Sequence, residues 1–180
     1  MKRLTTRQLV LMAFCVVLGL LIKRIISPVT NVLTDFFRIP GGSAAVGFSL
    51  AFLLIGREAA PVFGSATLMG FLQSLLALAL GFSGYQGVFA VLTYTLPGLI
   101  IDCTALLMKR RDLPYFLCVS VLSCLASAAL SDALVFHLAG IALLLWLLLA
   151  ACSGVVGGLC AQQLYARVQK ILPTEERTRT

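Results

Sequence analysis

The stretch "IALLLWLLLAACSGVVGGLCA", Ile141 to Ala161, decides the class to which this protein belongs. It carries no charged residue, and about 20 consecutive apolar residues are enough for an α-helix to cross a bilayer. The rest of the chain has the same character, since 60% of its 180 residues are apolar, 12% are charged and the mean hydropathy is +1.02. Soluble domains are nearer roughly 45–50% apolar. The sequence therefore predicts an integral membrane protein.

Charged residues, prolines and glycines divide the chain into six apolar segments. We place these at residues 9–28, 43–57, 60–80, 86–108, 114–137 and 139–165. The turn between the last two rests on "SDALVFHLAG", Ser131 to Gly140. The predicted fold is all-α, a polytopic bundle of six transmembrane helices that forms one domain over residues 1–170. A short polar tail follows at residues 171–180.

The basic residues follow the positive-inside rule. With a cytoplasmic N-terminus, eleven of the fourteen lie on the inner side: Lys2, Arg3, Arg7, Arg57, Lys109, Arg110, Arg111, Arg167, Lys170, Arg177 and Arg179. Only Lys23, Arg24 and Arg38 lie on the outer side. We therefore expect both termini in the cytoplasm. The lipid bilayer explains the net charge of +7, so we expect no nucleic-acid partner.

Several kinds of chemistry lack their sequence signals. The six cysteines lie in apolar segments without C-x-x-C spacing, and there is a single His, so we expect no zinc site and no cofactor. The chain has no G-x-x-x-x-G-K-[ST] loop that would bind the phosphates of ATP. Any active transport would therefore need a partner.

The stretch "GFSGYQG", Gly81 to Gly87, has two interpretations. Its G-x-S-G pattern resembles that of rhomboid intramembrane proteases, with Ser83 as nucleophile and His137, followed by "LAG", as base. Against this, the second helix, "SAAVGFSLAFLLIG", has neither the His nor the Asn that the rhomboid pattern uses for the oxyanion. A serine between glycines is usually a turn former. A protease using Ser83 and His137 is the alternative hypothesis.

A second resemblance covers more of the chain. A "PGG" precedes the short second helix, the glycine-rich third helix ends in a glycine loop, and the pattern Y-x-x-P-G-x-x-x-D follows. That last pattern is formed by Tyr94, Pro97, Gly98 and Asp102. Together these features resemble the substrate-binding S component of an energy-coupling factor (ECF) vitamin transporter. The resemblance is close over the middle third of the chain and extends to the remainder by topology.

This resemblance implies a multi-pass, non-enzymatic protein of the bacterial plasma membrane. Such a protein captures a vitamin or related micronutrient near the outer face and docks on a transmembrane coupling subunit driven by two ATPase subunits. Relatives carry a small-xxx-small motif for docking on the first helix. Its nearest equivalent here is Cys15 and Gly19, with Ala13 nearby, since small residues let helices approach closely. The alternative for this face is packing against the chain's own helices.

Counting inward along the helices, at about 1.5 Å per residue, predicts a substrate pocket. Four residues on separate helices lie roughly 8–12 Å below the outer surface on that rise: Gln73, Tyr94, Asp132 and Trp146. Polar groups in a membrane segment are costly unless they face a cavity or a partner. Each residue also has a structural alternative: Gln73 could tie helices together, the two aromatic residues could simply pack, and Asp132 could cap a helix end.

The remaining candidates lie around this depth. Tyr85 and Gln86 belong to the glycine loop, which we expect to act as a lid together with "TDFFRIPGG". His137 is also a substrate-binding candidate. It lies about 140° around a helix from Asp132, so Asp132 needs a partner from another part of the chain. Asp102 lies deeper, and we expect it to pair with basic groups such as Lys109 to Arg111.

The chemistry of these side chains suggests the charge of the solute. A carboxylate at Asp132 with aromatic faces at Tyr94 and Trp146 would suit a cationic or neutral, nitrogen-rich ring. An anionic solute would instead need Lys23 or Arg24, whose long stems can carry their charges out to the lipid headgroups. We therefore expect a thiamine-like or pyrimidine-like compound.

Overall fold

The computed structural model describes residues 5–35, 42–82, 84–108, 112–138 and 140–171. Within these ranges the chain is helical almost throughout and contains no strand, which confirms the all-α prediction. Six α-helices follow one another: α1 (Thr6–Asp35), α2 (Gly42–Ala59), α3 (Ser65–Ala79), α4 (Ala90–Leu107), α5 (Leu113–Ser131) and α6 (Ile141–Ile171). A 3-10 segment at Gly84–Phe89 leads into α4, and a π-helical turn at Asp132–Phe136 continues α5.

Among the described residues, four helical stretches are long and apolar enough to cross a membrane: Thr6–Asn31, Gln86–Leu107, Leu113–Phe136 and Ile141–Arg167. The helix at Ser65–Ala79 is apolar but shorter. Large apolar side chains such as Phe14, Leu107 and Ile141 are exposed on the outside of the bundle, where lipid would solvate them. These features are those of a multi-pass membrane protein. The number of spans and the side of the termini stay predictions.

The first helix is longer than the sequence breaks suggested. We expected the first segment to end at Pro28, but α1 continues through this proline to Asp35. A proline removes one backbone donor from a helix, and the turns on either side of it still form. The predicted tail at 171–180 lies outside the described residues except for Ile171, which is the last residue of α6.

Glycines let the helix backbones approach one another. A Cβ atom added at Gly98 would meet the backbone of Ala66, and one added at Gly70 would meet the carbonyl of Tyr94, so α3 and α4 pack antiparallel in direct contact. A Cβ added at Gly157 of α6 would meet the backbone of α2. Close contacts of this kind are typical of membrane helices, because lipid supplies no hydrophobic force between them.

A proline in α4 shows how a side chain of a neighbouring helix supplies a missing backbone hydrogen bond. Pro97 has no N–H group, so the carbonyl of Thr93, four residues earlier, loses its helical donor. The hydroxyl of Ser127 on α5 donates to that carbonyl at 3.0 Å. Because lipid offers no replacement partner, a freed carbonyl in a membrane helix needs one from a neighbouring helix. This hydrogen bond therefore joins α4 to α5 close to the candidate site.

Candidate functional site

Gln86 lies in a hydrogen-bond network at the end of the bundle where α3 ends and α4 begins, which we call the loop end. Its amide nitrogen Nε2 donates to Oγ of Ser131 at 3.1 Å, and the hydroxyl of Thr93 donates to its Oε1 at 3.0 Å. The hydroxyl of Ser131 donates in turn to the carbonyl of Ser127 at 2.8 Å. The network therefore joins the 3-10 segment to α4 and α5.

The backbone turn before this segment has a defined geometry. The N–H of Phe82 donates to the carbonyl of Ala77 at 2.7 Å, and that of Gly81 donates to the carbonyl of Leu78 at 3.1 Å. With Gly81 at φ +68°, these bonds form a Schellman motif at the end of α3. The motif places Phe82 against the small apolar cluster that contains Ala77. A glycine at position 81 is required because other residues rarely adopt this φ.

Two cations of α1 lie over aromatic rings at the loop end. The Nζ atom of Lys23 is 3.8 Å from the centroid of the Tyr94 ring, and the Cζ atom of Arg24 is 4.8 Å from that of Phe82. Tyr94 is only 8% exposed, so the Lys23 ammonium is directed at an interior ring. Sequence reasoning placed Lys23 among residues that reach the headgroups. Its position four residues after Gly19, and hence on the same helix face, was the signal that could have found it.

Gln73 ties three helices together. It is 1% exposed, its Nε2 donates to the carbonyl of Val16 on α1 at 3.3 Å, and its Oε1 accepts from the hydroxyl of Ser49 on α2 at 3.4 Å. A Cβ atom added at Gly19 would lie 2.5 Å from Nε2 of Gln73. These contacts match the interhelical tie that the sequence left open as the alternative for this residue.

Asp132 caps the end of α5 and its π-helical turn. Its Oδ1 accepts from the backbone N–H of Leu138 at 2.7 Å, and its carbonyl accepts from the N–H of His137 at 2.8 Å. His137 is exposed and has φ +51°, a left-handed conformation that ends the helical run. The capping alternative for Asp132 therefore describes its contacts.

Trp146 packs in the core between α5 and α6. It is 2% exposed, its Nε1 donates to the carbonyl of Ala128 at 3.2 Å, and its ring lies 5.4 Å from that of Phe136. A buried indole N–H usually has such a partner. Its contacts are those of a packing residue.

Among the described residues, no hydrogen bond or ring contact joins any two of Gln73, Tyr94, Asp132 and Trp146. Tyr94 is the member of this set that faces a charged group, and Gln86 lies at the same end of the bundle. Ser83 and the side chain of Tyr85 lie outside the described residues. A pocket shared by all four residues stays a prediction.

The proposed docking face on α1 is occupied by the chain's own helices. Cys15 is 7% exposed and Gly19 is buried. A Cβ atom added at Gly56 of α2 would lie 3.4 Å from that of Cys15. The contacts of Cys15 and Gly19 are those of the internal-packing alternative, and docking through this face stays a prediction. Ala13 is exposed.

Asp102 forms an ion pair at the opposite end of the bundle, which we call the Arg57 end. Its Oδ1 lies 2.8 Å from Nε of Arg57, and the two side chains are 0% and 5% exposed. The Nε–H does not point along a hydrogen bond, so this contact is mainly electrostatic. Pairing with a basic group was expected for Asp102, although the partner is Arg57. Lys109 to Arg111 lie outside the described residues.

A groove of about 400 Å³ lies on the α5–α6 face, and its lining is almost wholly apolar. It is formed by Leu125, Gly140, Leu143, Leu144, Leu147, Leu148 and Ala151. None of the predicted site residues contributes to it, and its chemistry suits hydrocarbon. The part of the chain that the structure describes contains no group of three His, Cys, Asp or Glu side chains that could hold a metal ion.

Comparisons of this chain with protein-family models, with curated proteins and with solved structures found no match. The candidate site is the loop end. There, the Lys23–Tyr94 contact and the network of Gln86, Thr93 and Ser131 place charged, aromatic, amide and hydroxyl groups at one end of a largely apolar bundle. Such a set can bind a small polar solute.

Proposed function

We propose that this chain is a non-enzymatic, solute-binding membrane subunit that captures a small polar nutrient at the loop end. The observation that carries this proposal is that the Lys23–Tyr94 contact and the network of Gln86, Thr93 and Ser131 lie at the same end of the bundle. Polar and ionisable groups within a membrane segment are costly and mark substrate pathways. The distribution of basic residues supports an outer position for the loop end, where a nutrient would arrive.

The network can exchange its internal bonds for bonds to a solute. Two neutral side-chain bonds hold Gln86 in place, and a typical neutral hydrogen bond contributes about 0.5–1.5 kcal/mol net. Opening the 3-10 segment would therefore cost about 1–3 kcal/mol for these two bonds. A solute that offers matching donors and acceptors would offset that cost. This is the role we assign to the glycine loop: a lid rather than a nucleophile.

Uptake against a gradient requires a partner, because the sequence has no phosphate-binding loop for ATP. The ECF resemblance suggests a transmembrane coupling subunit with two ATPase subunits. Since Cys15 and Gly19 pack inside the bundle, the coupling subunit would dock on a different surface.

The test is a ligand screen on purified protein in a mild non-ionic detergent. The panel contains anionic, neutral and cationic vitamins and their precursors, and thermal unfolding is followed for each. A true solute at 100 times its Kd stabilises the folded state by about 2.7 kcal/mol. A folded sample that responds to no compound would rule out this function.

Two serines of α5 provide a matched pair of variants. Ser131→Ala removes a hydroxyl that bonds to Gln86 in the closed network and would bond to the solute in the open one, so we expect it to weaken solute binding. Ser120→Ala removes a buried hydroxyl without a partner among the described residues, eleven positions and about 16 Å away along the helix, so we expect no effect. Separately, fluorophosphonate labelling that disappears in Ser83→Ala would favour the protease alternative instead.

A further inference from the structure

We infer that the solute is an anion, a flat ring compound bearing a carboxylate or phosphate group, and that Lys23 is its counter-ion. This inference rests on the proposed function and adds the charge of the solute. It reverses the sign expected from Asp132 in the sequence. The juxtaposition that carries it is the Lys23 ammonium over the buried Tyr94 ring, at the same end of the bundle as the Gln86 network.

The two cations at the loop end have no carboxylate partner among the described residues. Among these residues, the ion pair formed by Arg57 and Asp102 lies at the opposite end of the bundle. Lys23 and Arg24 instead contact aromatic rings. A cation over a ring gains about 0.5–2 kcal/mol, which is less than a charged hydrogen-bond partner supplies, at about 1.5–3 kcal/mol. A site with this surplus of positive charge favours an anion.

The Lys23 ammonium faces the interior of the bundle. It lies over a ring of α4 that is 8% exposed. An ammonium group has three N–H donors, and only one side of it faces the Tyr94 ring. The remaining donors can form short, charge-assisted bonds to a carboxylate or phosphate oxygen.

The carboxylate of Asp132 is less available to a cationic solute than the Lys23 ammonium is to an anion. One of its oxygens already accepts a hydrogen bond from the backbone N–H of Leu138 at 2.7 Å, which fixes it at the end of the π-helical turn. The Tyr94 face can stack on a ring, while Gln86 and Thr93 provide amide and hydroxyl groups. These neutral groups would recognise the uncharged part of the solute.

A phospholipid headgroup presents the same anionic chemistry as a soluble solute. The charge alone does not distinguish a lipid from a soluble solute, so the experiment needs one arm with soluble probes and one arm with lipids. We commit to the soluble anion because the ammonium is directed at a ring within the bundle and because the amide and hydroxyl groups lie at the same end.

The first arm measures binding by calorimetry with matched probes: nicotinate against nicotinamide, pyridoxal phosphate against pyridoxal, and thiamine as the cation. We expect one of the acids to bind more tightly than its neutral partner. Lys23→Gln should weaken that acid roughly ten- to a hundredfold, as expected for a lost charged hydrogen bond, and should change the neutral compound little. Lys23→Arg should restore most of the affinity, and Arg24→Gln, at the exposed neighbour, should have the smaller effect.

The second arm compares nanodiscs of phosphatidylcholine with nanodiscs that also contain phosphatidylglycerol. Stabilisation by phosphatidylglycerol that is lost in Lys23→Gln, with no response to either acid, would identify a lipid headgroup and overturn the inference. If the neutral or cationic probes bound more tightly than the acids, and Lys23→Gln did not change their affinity, the solute would not be an anion. The proposal that the protein binds a solute would then still stand. If the folded protein binds none of the five probes, the inference fails, while the wider vitamin panel still decides the proposed function.

Discussion

The Arg57–Asp102 pair allows a quantitative test of how the bundle is held together. Asp102 is fully buried, and its carboxylate accepts hydrogen bonds from the N–H and the hydroxyl of Thr67 at 2.9 and 2.8 Å. It also accepts from the N–H of Ala66 at 3.4 Å. The carboxylate therefore has two functions, because it neutralises Arg57 and caps the N-terminus of α3 from a different helix.

The two functions predict a specific pattern of stabilities. Removing one partner of a buried ion pair costs about 3–5 kcal/mol, because the other charge stays buried and uncompensated. We expect this loss for Arg57→Met, and for Asp102→Ala a further loss of about 0.5–2 kcal/mol for the missing cap. The double variant has no unpaired charge, so it should lose only about 0.5–2 kcal/mol. It should therefore be more stable than either single variant.

Trp146 provides the assay, because it is the only tryptophan of the chain and is 2% exposed. Equilibrium unfolding in mixed detergent micelles is followed by its fluorescence for the wild type, both single variants and the double variant. Ser65→Ala is the matched control, since it removes a buried hydroxyl that has no partner in the described part of the chain. If the double variant lost as much free energy as the two single variants together, the ion pair would not be coupled and the reasoning would be wrong.

Two further predictions concern the backbone near the site. Gly81→Ala should lower the free energy of unfolding by about 1–2 kcal/mol, the cost of a left-handed residue with a side chain, and Gly81→Asn should lower it less; equal stability of all three would contradict the Schellman geometry. Ser127→Ala leaves the carbonyl of Thr93 without its donor and should cost about 1–3 kcal/mol in thermal unfolding. When combined with Ser127→Ala, Pro97→Ala supplies a backbone N–H for the carbonyl of Thr93 and should remove most of that loss. If the double variant were as unstable as Ser127→Ala alone, the hydrogen bond from Ser127 would not be replacing the missing helical donor.

The sequence predicted the helices well and the contacts of the site less well, for a geometric reason. Apolar length and glycine breaks located most of the helices, and the glycine turn after α3 was located correctly, whereas α1 continues through the proline at which we expected it to end. Depth along a helix, however, leaves open which way a side chain points, because each residue turns by about 100°. Gln73 and Trp146 were predicted at the same depth, yet Gln73 contacts α1 and α2 while Trp146 contacts α5.

The contacts of Asp132 and Lys23 depended on features that the sequence pattern does not encode. Asp132 caps its own helix because the chain forms a π-helical turn and His137 adopts a left-handed φ. Periodicity arguments assume a regular helix and do not predict such a turn. Lys23 was assigned to the membrane surface by its length and position, whereas its partner, Tyr94, lies about seventy residues later in the sequence. That pairing depends on how α1 packs against α2 and α3, because this packing brings Lys23 within reach of α4.

The strength of the contacts at each level of the bundle indicates where the helices would separate most easily to admit the proposed solute. At the Arg57 end a buried ion pair joins α2 to α4, and removing one partner would cost about 3–5 kcal/mol. In the middle, glycine contacts bring the backbones of α3 and α4 together, so separating these helices would break packing along their length. At the loop end, the bonds of Gln86 are neutral and the cations contact rings, with contributions of about 0.5–2 kcal/mol each. The loop end can therefore open at the lowest cost, and it is the end where the charged and polar groups that would bind the solute lie.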